Sequence, residues 1–222
     1  MYLPNELYDA KVLITVKTYP LPSSDYGEVV CTAGLLDGSK WVRIYPILFS
    51  KYSKDEKFPK YSWIKVNLVK HPSDDRLESY MPKLGVDEPL HFLDRIQTDD
   101  AWAARKDYIL KEVFVSIKDL IHLSQSENRS LGTLKPLEIL DFIIEDSDRE
   151  WKPQWANRLR QMKMFDPTLP GAARNQLPIR KVPFTFKYRF ITQGDARPRE
   201  LSIHDWEIGM LYWECLRRTD GG

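Results

Sequence analysis

The stretch Lys40-Trp-Val-Arg-Ile-Tyr-Pro46 constrains this chain more than any other. Val42 and Ile44 point one way along it, while Trp41, Arg43 and Tyr45 point the other. A period of two marks a strand with one buried face. The second face is unusual, because two aromatic rings flank an arginine where small polar residues would suffice. Asp37-Gly38 lies just before the stretch and predicts a tight hairpin, since glycine tolerates positive φ and aspartate can satisfy the local backbone. The chain around this stretch is therefore expected to be a sheet with a chemically loaded outer face.

Neighbouring segments repeat the pattern. From Lys11, Val12, Ile14 and Val16 oppose Leu13, Thr15, Lys17 and Tyr19, until Pro20 and Pro22 end the strand. Glu28–Ala33 reads as a second strand, and Tyr61–Val69 as a fourth, with Ile64, Val66 and Leu68 opposing Trp63, Lys65 and Asn67. Short strands joined by tight turns predict a small, curled, barrel-like antiparallel sheet within residues 1–87. Residues 1–9 read as a loosely attached arm. With the aliphatic sets inward, the outer face carries Lys17, Tyr19, Trp41, Arg43, Tyr45, Trp63 and Lys65. Rings interleaved with cations suit single-stranded nucleic acid, whose bases stack while the cations track phosphate. The competing reading has later helices covering the rings, with the cationic tips reaching water.

The rest divides into a helical segment, 88–124, and an α+β subdomain, 131–222, separated by the polar break 124–130. Residues 71–87 form a polar connection, and its acceptor-rich run Ser73–Ser79 reads as a surface loop rather than a cation site. Pro89 is placed as a first-turn proline, followed by Leu90, Leu93 and Ile96 at helical spacing. Asp99 or Asp100 caps a helix that turns Trp102, Ile109, Leu110 and Val113 towards the core. Ser116…Asp119 resembles a capping box for a third helix. His91 and His122 fall in these helices as packed or surface residues. Leu137–Glu145 is apolar on both faces, which predicts a central strand. A helix is expected from Pro153, with Trp155, Leu159 and Met162 on one stripe. In the strand ending at Phe190, Phe184, Phe186, Tyr188 and Phe190 form the core face, opposite Lys187 and Arg189. Ser202…Asp205 reads as a capping box opening a final helix through Trp206, Met210, Trp213 and Leu216. The expected fold is α+β: a barrel-like N-terminal sheet, a helical middle, and C-terminal strands and helices packed as one unit.

The net charge of +1 conceals an uneven distribution. Residues 151–200 hold eleven Lys and Arg against three Asp and Glu, whereas 71–150 hold ten against eighteen. The basic block extends the nucleic-acid reading, and the acidic region fits a protein partner. The two cysteines, Cys31 and Cys215, sit among apolar residues and read as buried free thiols in a reducing cytoplasm. No signal-peptide pattern opens the chain, and no apolar run approaches the roughly 20 residues needed to span a bilayer. A cytoplasmic protein without membrane contact is expected.

Phosphate-cradling glycine loops, the G-x-S-x-G elbow and H-E-x-x-H are absent. Cys31 has no base near it in its own strand. His204, Asp205 and Glu207 are the one catalytic constellation, with His204 and Glu207 sharing a helical face. That pair could hold a divalent metal or perform acid–base work, and a metal-assisted phosphodiester hydrolase would use the carboxylates Asp205 and Glu207, with Lys187 or Arg189 near phosphate. Under the structural reading, Asp205 is a cap partner and Glu207 favours the positive helix end. Outside the hydrolase reading no cofactor or metal is expected. A protein-interaction module without catalysis is the third class.

Lys17-Thr-Tyr-Pro, Val30-Cys-Thr-Ala-Gly34, Trp41-Val-Arg-Ile-Tyr-Pro46, Glu78-Ser-Tyr80 and His204-Asp-Trp-Glu207 together resemble a prokaryotic protein family for which no activity is established. The resemblance spans nearly the whole chain and implies a single integrated unit. Members carry cysteines before the Asp-Trp-Glu motif, which implies a metal site there. This chain has Gln193-Gly-Asp-Ala-Arg-Pro-Arg199 instead and departs from that pattern.

Overall fold

The computed structural model describes residues 3–23, 27–48, 59–154, 157 and 180–219. The stripe of Trp155, Leu159 and Met162 lies outside them, as do Arg158, Arg160, Lys163 and Arg174 of the basic block. The protein is α+β with a closed five-stranded barrel at its N-terminal end. The barrel strands are β1 (Glu6–Lys17), β3 (Gly27–Leu36), β4 (Lys40–Leu48), β5 (Ser62–Lys70) and β6 (Ser79–Pro82). β2 (Leu21–Ser23) pairs with β3, and β7 (His91–Arg95) pairs with β5.

Closure depends on β1. Its twelve residues pair antiparallel with β3 (Val12↔Leu36 to Lys17↔Thr32) and also with β5 (Glu6↔Val69 to Leu13↔Trp63). The ladder continues from β3 to β4, β6 and β5, and the β4–β6 pairing is parallel (Arg43↔Ser79, Ile44↔Tyr80). Numbering the barrel strands one to five in chain order, their sequence around the barrel is 1-2-3-5-4-1, a Greek-key closure with strands three and five parallel. A closed ladder leaves no free edge within the barrel.

Alternation fixes the core. Val12, Ile14, Val42, Ile44, Ile64 and Leu68 are fully buried inside the barrel. A bulge between Ile14 and Val16 shifts the register of β1, and Val16 lies outside this cluster. The N-terminal arm is not loose. Leu3 and Leu7 pack on the core, Lys70 donates its amide N–H to the Asn5 carbonyl at 2.8 Å, and the buried Tyr80 hydroxyl donates to the Pro4 carbonyl at 2.7 Å.

α1 (Asp99–Ile109), β8 (Val113–Phe114), α2 (Ile117–Glu127) and β9 (Thr133–Leu134) follow the barrel. The segment expected to be helical around Leu93 is β7, because it finds an edge on β5 (Ile64↔Phe92). His91 therefore lies on a strand. Asp100, Ala101 and Trp102 have positive φ, so regular helix begins only after them. Trp102 consequently leaves the core side and is 58% exposed. Ser116 caps α2 as expected, its side chain accepting from the Lys118 amide.

The C-terminal part is a three-stranded antiparallel sheet, β10 (Glu138–Asp146), β11 (Phe184–Ile191) and β12 (Arg199–Ser202), followed by α3 (Trp206–Thr219). β10 was expected to be central but lies at the edge of this sheet. Its Ile139 and Ile144 are each 57% exposed. Of the expected core face of β11, Phe186 and Phe190 are buried, Phe184 is half-buried and Tyr188 is 43% exposed; Phe142 of β10 stacks on Phe186. Asp205 rather than Ser202 caps α3, accepting from the Glu207 amide at 2.7 Å. Cys31 is half-buried and Cys215 exposed, and both are free thiols. Among the described residues no helix is long and apolar enough to cross a membrane.

α3 docks against the end of β1. Trp206 stacks on Tyr19 with ring centroids 5.6 Å apart, and the Trp213 indole N–H donates to the Tyr19 hydroxyl at 2.9 Å. Gly209 permits the approach, since a Cβ there would stand 2.4 Å from the Tyr19 ring. Gly209→Ala should therefore destabilise the protein by about 1–3 kcal/mol, the usual cost of overpacking, despite alanine's better helix propensity. Thermal unfolding of the two proteins checks this, and an unchanged or raised midpoint would contradict the docking.

Candidate nucleic-acid interface

The seven residues expected on one open face are divided by the structure among four environments. Lys17 and Tyr19 lie beneath α3: Lys17 is only 5% exposed, with its ammonium 5.3 Å from the Trp206 ring. Trp63 is buried against α1, where Tyr108 meets it edge-on at 5.4 Å. Lys65 pairs with Asp9 at 3.1 Å on the surface. Trp41, Arg43 and Tyr45 stay together on the outer face of β4, all half-buried. On the C-terminal sheet, Lys187 pairs with Glu145 and Arg189 with Glu200. Helices thus cover part of the expected face, and the part left open is centred on β4.

Arg43 and Tyr45 line a cleft of about 530 Å³. β3 contributes Cys31 to its wall. The connection after β1 contributes Thr18, and the connection between β5 and β6 contributes His71 and Arg76. The latter connection is the acceptor-rich run, and it folds on itself. Asp74 accepts from Arg76 Nε at 2.8 Å and from Nη2 at 2.6 Å, and it also accepts from the Ser79 hydroxyl. These bonds hold the Asp74 carboxyl well below the usual carboxylate range, the Arg76 side chain contributing most. Asp74, one of the acceptors of that run, is therefore engaged by an arginine of the same loop. Tyr45 and His71 place their ring centroids 6.3 Å apart, tilted by 38°.

Arg43 is the least ordinary group in the cleft. Burial pushes its pKa down, and nearby Arg76 acts in the same direction. Its Nη2 donates to Ser130 Oγ at 2.9 Å, whereas among the described residues its buried Nε has no hydrogen-bond partner. A buried unpaired donor costs about 1–3 kcal/mol, more when charged. Burial also raises the Cys31 thiol pKa, which keeps it in the neutral, weakly nucleophilic form.

The catalytic constellation is engaged elsewhere. Lys60 Nζ lies 2.7 Å from Asp205 Oδ2 and 2.9 Å from Glu207 Oε2, tying both carboxylates to the barrel. His204 is exposed, and its carbonyl accepts from the Tyr19 amide at 2.9 Å. Among the described residues, no group of three or more His, Cys, Asp or Glu side chains is placed to hold a metal.

The strand order, with a cleft on the second and third barrel strands between the one–two and four–five connections, is the arrangement of oligonucleotide/oligosaccharide-binding (OB) barrels. Residues 8–111 match the model of a domain of unknown function, DUF8758, and residues 113–222 match that of a second, DUF8757. The first match takes in the barrel and α1, and the second everything from β8 onwards. No curated protein and no solved structure matches the chain.

Sequence reasoning selected Arg43 and Tyr45 but omitted Thr18, His71 and Arg76. The signal for the last two was the polar density of residues 71–79, and only barrel closure places that run beside β4. The Asp74–Arg76 bond has a pH signature. Because the folded pKa of Asp74 is depressed, its contribution is complete above the unfolded carboxylate value of about 4 and is lost as pH falls through the folded value. Asp74→Asn should therefore be less stable than the parent at neutral pH and lose less stability on further acidification. Thermal unfolding across the acid range measures both, and parallel curves would contradict the assignment.

Proposed function

We propose that this protein binds single-stranded nucleic acid at the outer face of β4, with Tyr45 and His71 receiving a base and Arg43 and Arg76 meeting phosphate. The supporting observation is the half-buried Arg43 guanidinium, its buried Nε without a partner among the described residues, on the face where OB-type barrels take their ligands. The chemistry of the cleft favours a polyanion with planar groups over a neutral sugar, because guanidinium matches phosphate geometry and stacked rings accept any base. The basic block of residues 151–200 adds long-range attraction to this reading. Two free cysteines suit a reducing cytoplasm.

Fluorescence anisotropy with a labelled single-stranded oligonucleotide tests the reading at about 50 mM salt, where non-specific phosphate contacts are strong. Binding should weaken with salt, with a log–log slope of about −0.7 per phosphate neutralised. Tyr45→Ala should cost about 1–3 kcal/mol, the range for one base–ring stack. Arg43→Gln should cost about 1.5–3 kcal/mol, the range for a hydrogen bond to a charged group. Absence of binding at low salt, or variants indistinguishable from the parent, would sink the proposal.

A further inference from the structure

A second cleft, of about 620 Å³, opens at the other end of the same strand face. Trp41 lies in its wall, with Lys40, Lys111 and Arg129 alongside Glu112 and Glu127. Trp41 and Tyr45 are four residues apart on one side of β4, which puts them about 13 Å apart at the usual strand rise. Arg43 stands between them on the same side. Among the described residues Trp41 has no aromatic partner, unlike Tyr19 beneath Trp206 or Trp63 against Tyr108.

Ser130 links a lining residue of each cleft. Ser130, in the linker after α2, accepts from Arg43 Nη2 at 2.9 Å and donates to Glu78 Oε1 at 2.7 Å. The Ser130 amide donates to the same Glu78 oxygen at 2.7 Å. Glu78 lines the second cleft and is only 3% exposed, yet among the described residues its other oxygen, Oε2, has no hydrogen-bond partner. The bridge therefore joins a buried carboxylate to a half-buried guanidinium and, among the described residues, leaves one polar atom of each without a partner. Ser130 itself is exposed, so the contact lies at the surface of the groove.

We infer that the two clefts are stations of one groove, in which a single strand stacks one base at Tyr45 and a later base at Trp41. The phosphate between them takes the Arg43 guanidinium in place of the Ser130 hydroxyl. A phosphate oxygen accepts a charge-assisted bond at the position Ser130 holds and offers a further acceptor to Nε, which the hydroxyl does not satisfy. Ser130 is the place-holder that keeps Arg43 oriented in the free protein. This inference rests on the proposed function and extends it to ligand length and register.

The test measures anisotropy of labelled oligothymidylates of about 3 and about 8 nucleotides, the longer one within the site sizes of OB barrels. Trp41→Ala should weaken binding of the longer strand about tenfold, Trp41→Phe should restore most of it, and the shorter strand should respond much less to either change. Ser130→Ala should bind the longer strand more tightly than the parent, by a few fold. If Trp41→Ala binds the longer strand like the parent while Tyr45→Ala does not, the second station is overturned and the first stands. If Ser130→Ala binds more weakly, the place-holder role is overturned. If no oligothymidylate binds the parent protein, the proposed function fails together with this extension.

Discussion

Everything in this structure depends on β1 pairing along both of its edges. A strand that serves β3 on one side and β5 on the other converts an open meander into a closed ladder. Closure carries β6 to β4 in parallel and brings the β5–β6 connection beside the outer face of β4. Without it, His71 and Arg76 would have no fixed relation to Tyr45 and Arg43. The same closure seals Ile14, Ile44, Ile64 and Leu68 from water, so the apolar burial that stabilises the barrel also positions the cleft.

The outer face of the barrel is divided by what packs on it. α3 covers the end of β1 through Trp206 and Trp213, and α1 covers Trp63 through Tyr108. What remains open is the middle of β4, where Arg43 is held between Ser130 and the β5–β6 connection. A guanidinium half removed from water, with one N–H unpaired, is costly unless something repays it. Asp74 engages Arg76 with two hydrogen bonds, whereas Glu78 reaches Arg43 only through Ser130. The two arginines of the cleft thus differ in how completely they are satisfied.

The C-terminal sheet obeys different constraints. β11 pairs on both sides, burying Phe186 and Phe190, while β10 presents Ile139 and Ile144 at an edge. Its cations do not join the barrel cleft: Lys187 and Arg189 each meet a carboxylate on a neighbouring strand. Opposite charges placed across a ladder contribute to sheet pairing, which accounts for both residues without a ligand.

The sequence by itself determined the local rules of this protein. The alternation of Trp41 to Tyr45 and of Trp63 to Asn67, the turn at Asp37-Gly38 and the cap at Ser116 each follow from the geometry of a few adjacent residues. Those rules are short-ranged, so they say which side of a strand a ring occupies and not what will cover it. Only the tertiary structure decided that Tyr19 and Trp63 lie beneath helices while Trp41 and Tyr45 do not. It likewise decided that the segment around Leu93 is a strand, because an edge of β5 outweighed helical spacing, and that apolar β10 lies outermost. The cleft needed residues from four separate parts of the chain, and their meeting is a property of barrel closure that no window of sequence contains.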